Sequence, residues 1–407
     1  LPHIDTAALA EVPALAITRL MLTDFRSYGR ARLDLDARPV VLTGPNGAGK
    51  TNLLEAVSFL VPGRGLRRAK LGSVARRGSD GIAENPWAVA AEIATASGSV
   101  SIGTGPDPEQ GETARERRIV RIDGAPARSQ AALGDIVALV WLTPQMDRLF
   151  LDGASERRRF VDRLAEALDP EHGSHVNAYE HSMRERLRLL RGESVAPERD
   201  WLDALEARMA EEGVAIAATR RLLAQRLDAL VRETLAPFPA AAVMVEGLLE
   251  SGLDTMPALA VEDRFRAQLA ENRRGDADAG MTQAGPHRSD MTVLHLGSGD
   301  VARSMPAADC STGEQKALLI ALVLAHARLV AATRNVTPLV LLDEIAAHLD
   351  RERRQALFEL LLGLGAQAWM TGTDAEIFAS LGSRAQLFAV APGRVLGHGP
   401  ITGPNAF

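Results

Sequence analysis

Eight residues, Gly44-Pro45-Asn46-Gly47-Ala48-Gly49-Lys50-Thr51, restrict this chain more than any other segment. They fit the pattern G-x-x-x-x-G-K-[ST], follow the apolar run Val40-Val41-Leu42 and precede a helical pattern from about Gly49 to Leu60. Glycines let successive backbone N–H groups turn inward around a phosphate, and the helix that starts there adds positive potential at its first turn. Lys50 is placed to reach the β- and γ-phosphates of a nucleotide, and Thr51 to ligate Mg²⁺. A chance glycine turn has no reason to sit between a buried strand and a helix.

A partner motif lies near the other end. Pro338-Leu339-Val340-Leu341-Leu342 is an apolar run that closes on Asp343 and Glu344. Asp343 suits Mg²⁺, and Glu344 suits the orientation or deprotonation of an attacking water. Two surface acids would look alike in isolation; an apolar strand before them and a phosphate loop elsewhere favour the catalytic reading. The first 50 residues alternate like strands, and residues 85–125 predict antiparallel strands with turns at Gly98, Gly103 to Gly105 and Asp123-Gly124. From about 152 to 236 the period is helical, and strand character returns at Met291 to Leu296. The expected fold is therefore α/β, with a P-loop ATPase lobe made by both chain ends (1–150 and 281–407) and an inserted, mostly helical arm lobe (151–280).

Composition narrows the partners. The 46 basic and 52 acidic residues leave a net charge of -6, so any nucleic-acid contact must come from local patches. One stretch qualifies: Arg64, Arg67, Arg68, Lys70, Arg76 and Arg77 occur with no acid between them. It suits phosphate contacts that do not read sequence, or a solvated loop. Arg157-Arg158-Arg159 is flanked by Asp152, Glu156 and Asp162 and reads as a salt-bridged helical face. Cys310 stands alone, which excludes an internal disulfide or a Cys-based zinc site, and reads as a small buried residue. His3, Asp5 and Glu11 precede any apolar run, so no secretory signal is expected; Ala317 to Ala332 is too short for a membrane span and reads as a buried helix.

A phosphate loop alone leaves kinases, GTPases and helicases open. Cys310-Ser311-Thr312-Gly313-Glu314-Gln315-Lys316, which opens a long helix, resembles the signature of ABC ATPases. An N-cap serine starting any helix gives a similar pattern, so order and spacing relative to the other motifs carry the resemblance. Ala347-His348-Leu349-Asp350 resembles the D-loop, Gln145 the Q-loop glutamine, and the switch position falls in Met370-Thr371-Gly372-Thr373-Asp374, with Thr373 the expected residue where a His is usual.

Narrower segments single out one family. Leu22-Thr23-Asp24-Phe25-Arg26-Ser27-Tyr28, the loop through Asn52, Leu151-Asp152-Gly153 to Arg157-Arg158-Arg159-Phe160-Val161-Asp162 and Gly285-Pro286-His287-Arg288-Ser289-Asp290 together resemble the RecF family of bacterial DNA replication and repair proteins, relatives of SMC and Rad50 heads. Gln145 departs from it, standing where that family often has an acid. The resemblance implies an ABC/Rad50-head-like fold, ATP and Mg²⁺ as cofactors and weak, DNA-dependent ATP hydrolysis used as a switch. It implies an ATP-dependent homodimer in which Ser311, Thr312, Gly313, Glu314 and Gln315 of one copy complete the site of the other. It also implies binding of double-stranded or gapped DNA, action with RecR, RecO and RecA in recombination and the SOS response, and a cytoplasmic, nucleoid-associated location without a membrane. His287 and Arg288 read equally as nucleotide or DNA contacts and as braces. A transporter ATPase fits poorly with a helical insert of about 85 residues, a full SMC or Rad50 protein needs a far longer heptad repeat, and a small-molecule kinase needs no signature.

Overall fold

The computed structural model describes residues 12–78, 85–107, 117–192, 199–233, 236–297, 304–346 and 349–396. The expectations on residues 3–11 and on Ala347 and His348 lie outside them. The chain divides into two compact units, residues 1–146 with 323–407, and residues 147–322. The sequence placed these boundaries at 150/151 and 280/281. The second boundary lies further on because the strand Asp290–Leu296 pairs along its whole length with Ala240–Glu246, inside the segment expected to be helical.

The first unit holds two sheets. One is antiparallel, in the order Tyr28–Asp34, Ala16–Phe25, Ala88–Thr95, Gly98–Pro106, Arg118–Ile122, Ala125–Pro126. The turn expected at Gly103 to Gly105 is instead strand interior. A Cβ on Gly105 would come within 2.7 Å of the Trp87 carbonyl, so glycine here permits a close backbone approach. The other sheet runs Arg394–Leu396, Gln386–Ala391, Val40–Thr43, Ala368–Gly372, Leu339–Leu342, Leu139–Leu142, with all pairs parallel except the first. Its central strands are buried throughout, as uninterrupted Val/Leu runs require. Gln367 joins the two sheets. Its Oε1 accepts from the Ile17 N–H (2.9 Å) and the Trp369 indole (3.1 Å), while its Nε2 donates to Ile17 O (3.0 Å) and Asp36 O (2.7 Å).

The second unit is built on helices Ala154–Leu168, His172–Leu190 and Arg199–Arg232, as the 3.6-residue periodicity predicts, with the shorter helices Leu248–Thr255, Ala258–Glu271 and Arg273–Ala279. Its core packs Tyr179, Met209, Ile216, Leu249, Phe265 and Leu269. A charged network is buried beside it: Arg186 bonds Glu206 (2.8 Å) and Asp276 (2.7 Å), and Glu206 also receives Arg273. The helix Thr312–Arg334 is the one described segment long and apolar enough to cross a membrane, and 89% of its most apolar window is buried in the protein. Cys310 is buried, as expected.

Candidate nucleotide site

Parallel pairing fixes where the motifs meet. Thr43 is level with Gly372, and Leu342 with both Met370 and Leu142, so the phosphate loop, the acidic pair and the segment carrying Gln145 all leave the sheet at its carboxyl edge. Ligands of open parallel sheets bind at that edge. The glycines are placed as a phosphate cradle requires. Gly44 has φ 152°, and a Cβ there would lie 2.2 Å from the Val390 carbonyl oxygen; Gly49 has φ 107°, and a Cβ would meet Ser27 Oγ at 2.7 Å and the Tyr28 hydroxyl at 2.8 Å. Gly47, at φ 80°, has nothing within 4 Å of its missing Cβ, so a side chain there would project into open space. Pro45 and Asn46 are exposed at the loop crest, whereas Ala48 is buried.

Lys50 opens the helix Lys50–Ser58 and is itself buried, with Nζ donating to Gly44 O (2.7 Å) and Pro45 O (3.0 Å). The ammonium thus lies inside the loop, held by two carbonyls that leave its charge uncompensated. Thr51 Oγ1 donates to Asp343 Oδ1 at 3.0 Å. Asn52 Nδ2 reaches Ser27 Oγ (3.0 Å), and the Tyr28 hydroxyl donates to Gly49 O (3.0 Å), so the Phe25–Tyr28 turn supports the loop from behind. Arg26 ties the same turn to the helix through a two-point bond to the fully buried Glu55 (2.9 and 2.7 Å).

Asp343 is the centre of the arrangement. Its Oδ1 accepts from Thr51 and from Thr371 Oγ1 (2.8 Å), and Thr371 Oγ1 in turn accepts the Glu344 N–H at 2.8 Å. Glu344 sits at φ 56°, a left-handed backbone that this hydrogen bond helps to hold, and its side chain is half-buried. Thr373, the expected switch residue, lies exposed past the end of the strand, and Thr371 is the threonine that touches the acidic pair. Gln145 is exposed in the 3₁₀ turn Pro144–Arg148 after the edge strand, and Asp350 caps the helix Arg351–Gly363 by accepting the Arg353 N–H at 2.8 Å.

Burial pushes the Asp343 carboxyl above the usual range, against the opposing pull of Thr371, Thr51 and the Arg67 charge. A folded-state pKa above the unfolded one favours folding below the unfolded pKa, and that contribution is lost as pH rises through the folded pKa. Near neutrality the Asp343 charge therefore weakens the nucleotide-free fold. Asp343→Asn is expected to raise the melting temperature of the nucleotide-free protein at neutral pH. Thermal denaturation at pH 5 and pH 8 checks this: the gain must be larger at the higher pH.

The basic stretch divides. Arg67 turns inward, to Asn52 Oδ1 (2.9 Å) and Glu55 (3.4 Å), and Arg76 lies 3.9 Å from Asp24. All six side chains, Arg64, Arg67, Arg68, Lys70, Arg76 and Arg77, are nevertheless exposed. In the second unit, Ser311 and Glu314 form a reciprocal cap. The Ser311 hydroxyl and N–H both donate to Glu314 Oε2 (2.6 and 2.9 Å), and the Glu314 N–H faces Ser311 Oγ at 3.4 Å. Thr312 and Gly313 are exposed, buried Gln315 pins the preceding turn through Ala308 O and Cys310 O, and Lys316 pairs with Asp147 at 2.8 Å.

The Arg-Arg-Arg-Phe and Gly-Pro-His-Arg segments, far apart in sequence, are joined. Arg157 forms a two-point bond to Asp290 (2.7 and 2.6 Å), Arg158 donates to Ser289 O (2.8 Å), and Arg159 pairs with Glu156. His287 is a brace. Its Nδ1 meets the Tyr179 hydroxyl at 2.8 Å and its Nε2 meets Thr282 O at 2.8 Å, which requires a proton on Nε2 and, in the neutral ring, leaves Nδ1 to accept from the tyrosine. Burial lowers its pKa, in keeping with that neutral tautomer.

Comparison with known proteins follows the same lines. The family described as RecF/RecN/SMC N terminal domain matches residues 16–393. The DNA replication and repair protein RecF of Rhizobium etli is 49% identical over 94% of this chain and 99% of its own length, and that of Mesorhizobium japonicum is 50% identical over 93% and 97%. Among solved structures, the recombination mediator protein RecF of the RecFOR pathway in an ATP form superposes with a TM-score of 0.79 at 20% identity, covering 95% of this chain and 98% of that one. An Smc head domain from Pyrococcus furiosus, with an extended coiled coil and bound to a ScpA domain, gives 0.52 at 16% identity, covering 94% and 96%. The fold is thus that of the ABC-type P-loop heads, and the chain belongs to the RecF family of DNA replication and repair proteins.

Proposed function

We propose that the chain is an ATP-gated DNA-binding switch whose two copies close on two ATP molecules. The observation that carries this reading is the convergence of Thr51 and Thr371 on Asp343 at the mouth of the glycine loop, with Glu344 next in the chain. The loop N–H groups and Lys50 neutralise the phosphate tail. Thr51 Oγ1 and Asp343 are hard oxygen donors 3.0 Å apart, of the kind Mg²⁺ prefers, and would be the residues that hold that ion. When bound, the ion draws charge from the β- and γ-phosphates. Glu344 takes a proton from the attacking water, and Thr371 fixes its backbone. Arg67, tied to Asn52, adds positive potential at Asp343 from a stretch in which Arg64, Arg68, Lys70, Arg76 and Arg77, also exposed, grip the DNA backbone.

In this reading Ser311 to Gln315 of one copy complete the phosphate site of the other, with Gln145 and Asp350 beside them. The dimer binds duplex DNA near single-strand gaps, acts in the cytoplasm with RecR and RecO in loading RecA, and uses slow, DNA-dependent hydrolysis to let go. The similarity to RecF proteins in amino-acid sequence, and to a RecF structure containing ATP in fold, supports it. Fluorescence anisotropy of a labelled duplex, at one salt concentration with ATP, ADP or no nucleotide, is the test. Binding that requires ATP supports the switch, whereas binding indifferent to nucleotide, or absent throughout, overturns it. Glu344→Gln is expected to slow hydrolysis by about 10²-fold or more, the range of a general base, and to hold the dimer on DNA, read as a duplex off-rate that falls in parallel.

A further inference from the structure

Three arginines, Arg288 within the loop 280–289 and Arg158 and Arg191 from outside it, share one unusual property. Arg191 donates to Gly280 O at 2.6 Å, Arg288 to Thr282 O at 3.2 Å and Met281 Sδ at 2.8 Å, and Arg158 to Ser289 O at 2.8 Å. Each guanidinium is anchored to this loop by main-chain carbonyls or a thioether, and among the described residues none has a carboxylate within 4.0 Å. The nearby acids are already committed: Asp290 to Arg157, Asp162 to Arg220 and His172, Asp276 to Arg186, and Glu250 to Ser289 Oγ. The three arginines therefore present positive charge without a carboxylate in direct contact, in a chain whose net charge is -6.

Its base is rigid. The Tyr179–His287–Thr282 relay, the Arg220 bond to Pro286 O (2.6 Å) and the Gln283 N–H bond to Asp276 (3.0 Å) hold the loop at several points. Gly280 and Gly285 take φ 66° and 135°; a Cβ on the first would meet Arg191 Nη2 at 2.7 Å, and on the second the Tyr179 hydroxyl at 2.2 Å. Burial lowers the Arg158 pKa, repulsion from Arg220 and to a smaller extent Arg288 adds to it, and Asp290 and Asp162 oppose it. A fold keeps such a cluster at a cost that an arriving anion removes.

We propose that Arg158, Arg191 and Arg288 form a second contact for the phosphate backbone of duplex DNA, separate from the Arg64–Arg77 stretch. Each guanidinium keeps N–H donors beyond those its carbonyl uses, and its planar fork matches phosphate oxygens. A protein partner would need an apolar centre as well, and Met281 is the one large apolar residue of this loop that is exposed. The proposal rests on the reading of the chain as a DNA-binding protein.

The test is a salt titration of duplex binding with ATP present, for the unaltered protein, the triple variant Arg158→Gln/Arg191→Gln/Arg288→Gln and the corresponding triple lysine variant. Each lost phosphate contact removes about 0.9 from the slope of log K against log salt, so the glutamine variant is expected to lose about 2–3 in slope and about ten- to hundredfold in affinity. The lysine variant, which keeps the charge but not the carbonyl geometry, is expected to keep most of the slope. Binding of a fluorescent ATP analogue should be unchanged in both. If the glutamine triple does not fold, the exposed single variants Arg191→Gln and Arg288→Gln are each expected to lose about 1 in slope. A folded glutamine triple with unchanged slope overturns the proposal while leaving the switch standing, and so does one that loses poly-glutamate binding but keeps duplex binding, which assigns the row to an acidic protein surface. Absence of duplex binding by the unaltered protein in every nucleotide state overturns both readings.

Discussion

Ser311→Arg is expected to leave ATP binding by the monomer within about twofold of normal and to abolish ATP-dependent dimerisation. Ser311 is exposed at the start of its helix, its hydroxyl bound only to Glu314 of the same turn. A long cation there removes the serine hydroxyl and fills the space that a second copy would enter, while every contact among Lys50, Thr51, Asp343 and Thr371 is untouched. Loss of the reciprocal cap costs about 1 kcal/mol, which a melting curve will register without loss of the fold. The decisive measurement is sedimentation velocity with ATP under conditions that suppress hydrolysis. Dimers that form as readily as in the unaltered protein would remove the idea that one copy completes the site of the other. Retention of ATP binding with loss of DNA binding would show in addition that the dimer is the DNA-binding form.

Lys50→Met carries the second large effect, and it falls one step earlier. The ammonium is buried within the loop and donates to two carbonyls, so its charge is held where the phosphates must sit. Truncating a buried, hydrogen-bonded charge typically costs about 2–5 kcal/mol of binding, or about 30- to 4,000-fold. Equilibrium binding of a fluorescent ATP analogue is expected to fall into that range, with dimerisation and DNA binding lost as consequences. Methionine keeps the aliphatic stem and satisfies the packing, so the nucleotide-free protein should melt within a few degrees of the unaltered one. A variant that binds ATP normally would mean that the loop glycines and the helix terminus alone hold the phosphates.

How far the sequence reached depends on range. The loop, Lys50, Thr51 and the Asp343-Glu344 pair were legible because each is a short pattern set by its own strand and turn. Thr371 was not. Thr371 and Thr373 are the same residue type and differ only in position, one within the strand and one just past its end. The pairing of Leu342 with Met370 places Asp343 level with the first of them, and strand register between distant segments is not written in either segment alone. The strand Ala240–Glu246 was hidden for a related reason. Its Ala-Ala-Ala start has low strand propensity, and it exists because Asp290–Leu296 supplies the partner edge. Arg67 looked like its basic neighbours and turned out to be committed to Asn52 and Glu55, which only the return of the chain over the Lys50–Ser58 helix reveals. The position of a motif survives without tertiary information, whereas the partners of a single Thr or Arg do not.

Gln367 carries a mechanical consequence. One side-chain amide bonds at once to the first strand of the antiparallel sheet, to the turn at Asp36 and to the indole two residues ahead, with both acceptor positions and both donors in use. It acts as a shear pin: the two sheets of the first unit cannot slide past each other without breaking bonds in both. A displacement of the antiparallel sheet therefore strains bonds held by the residue that leads into the strand Ala368–Gly372, whose Thr371 holds Asp343 and the Glu344 backbone. Stiffness at this position couples the outer sheet to the segment that carries the acidic pair's threonine partner.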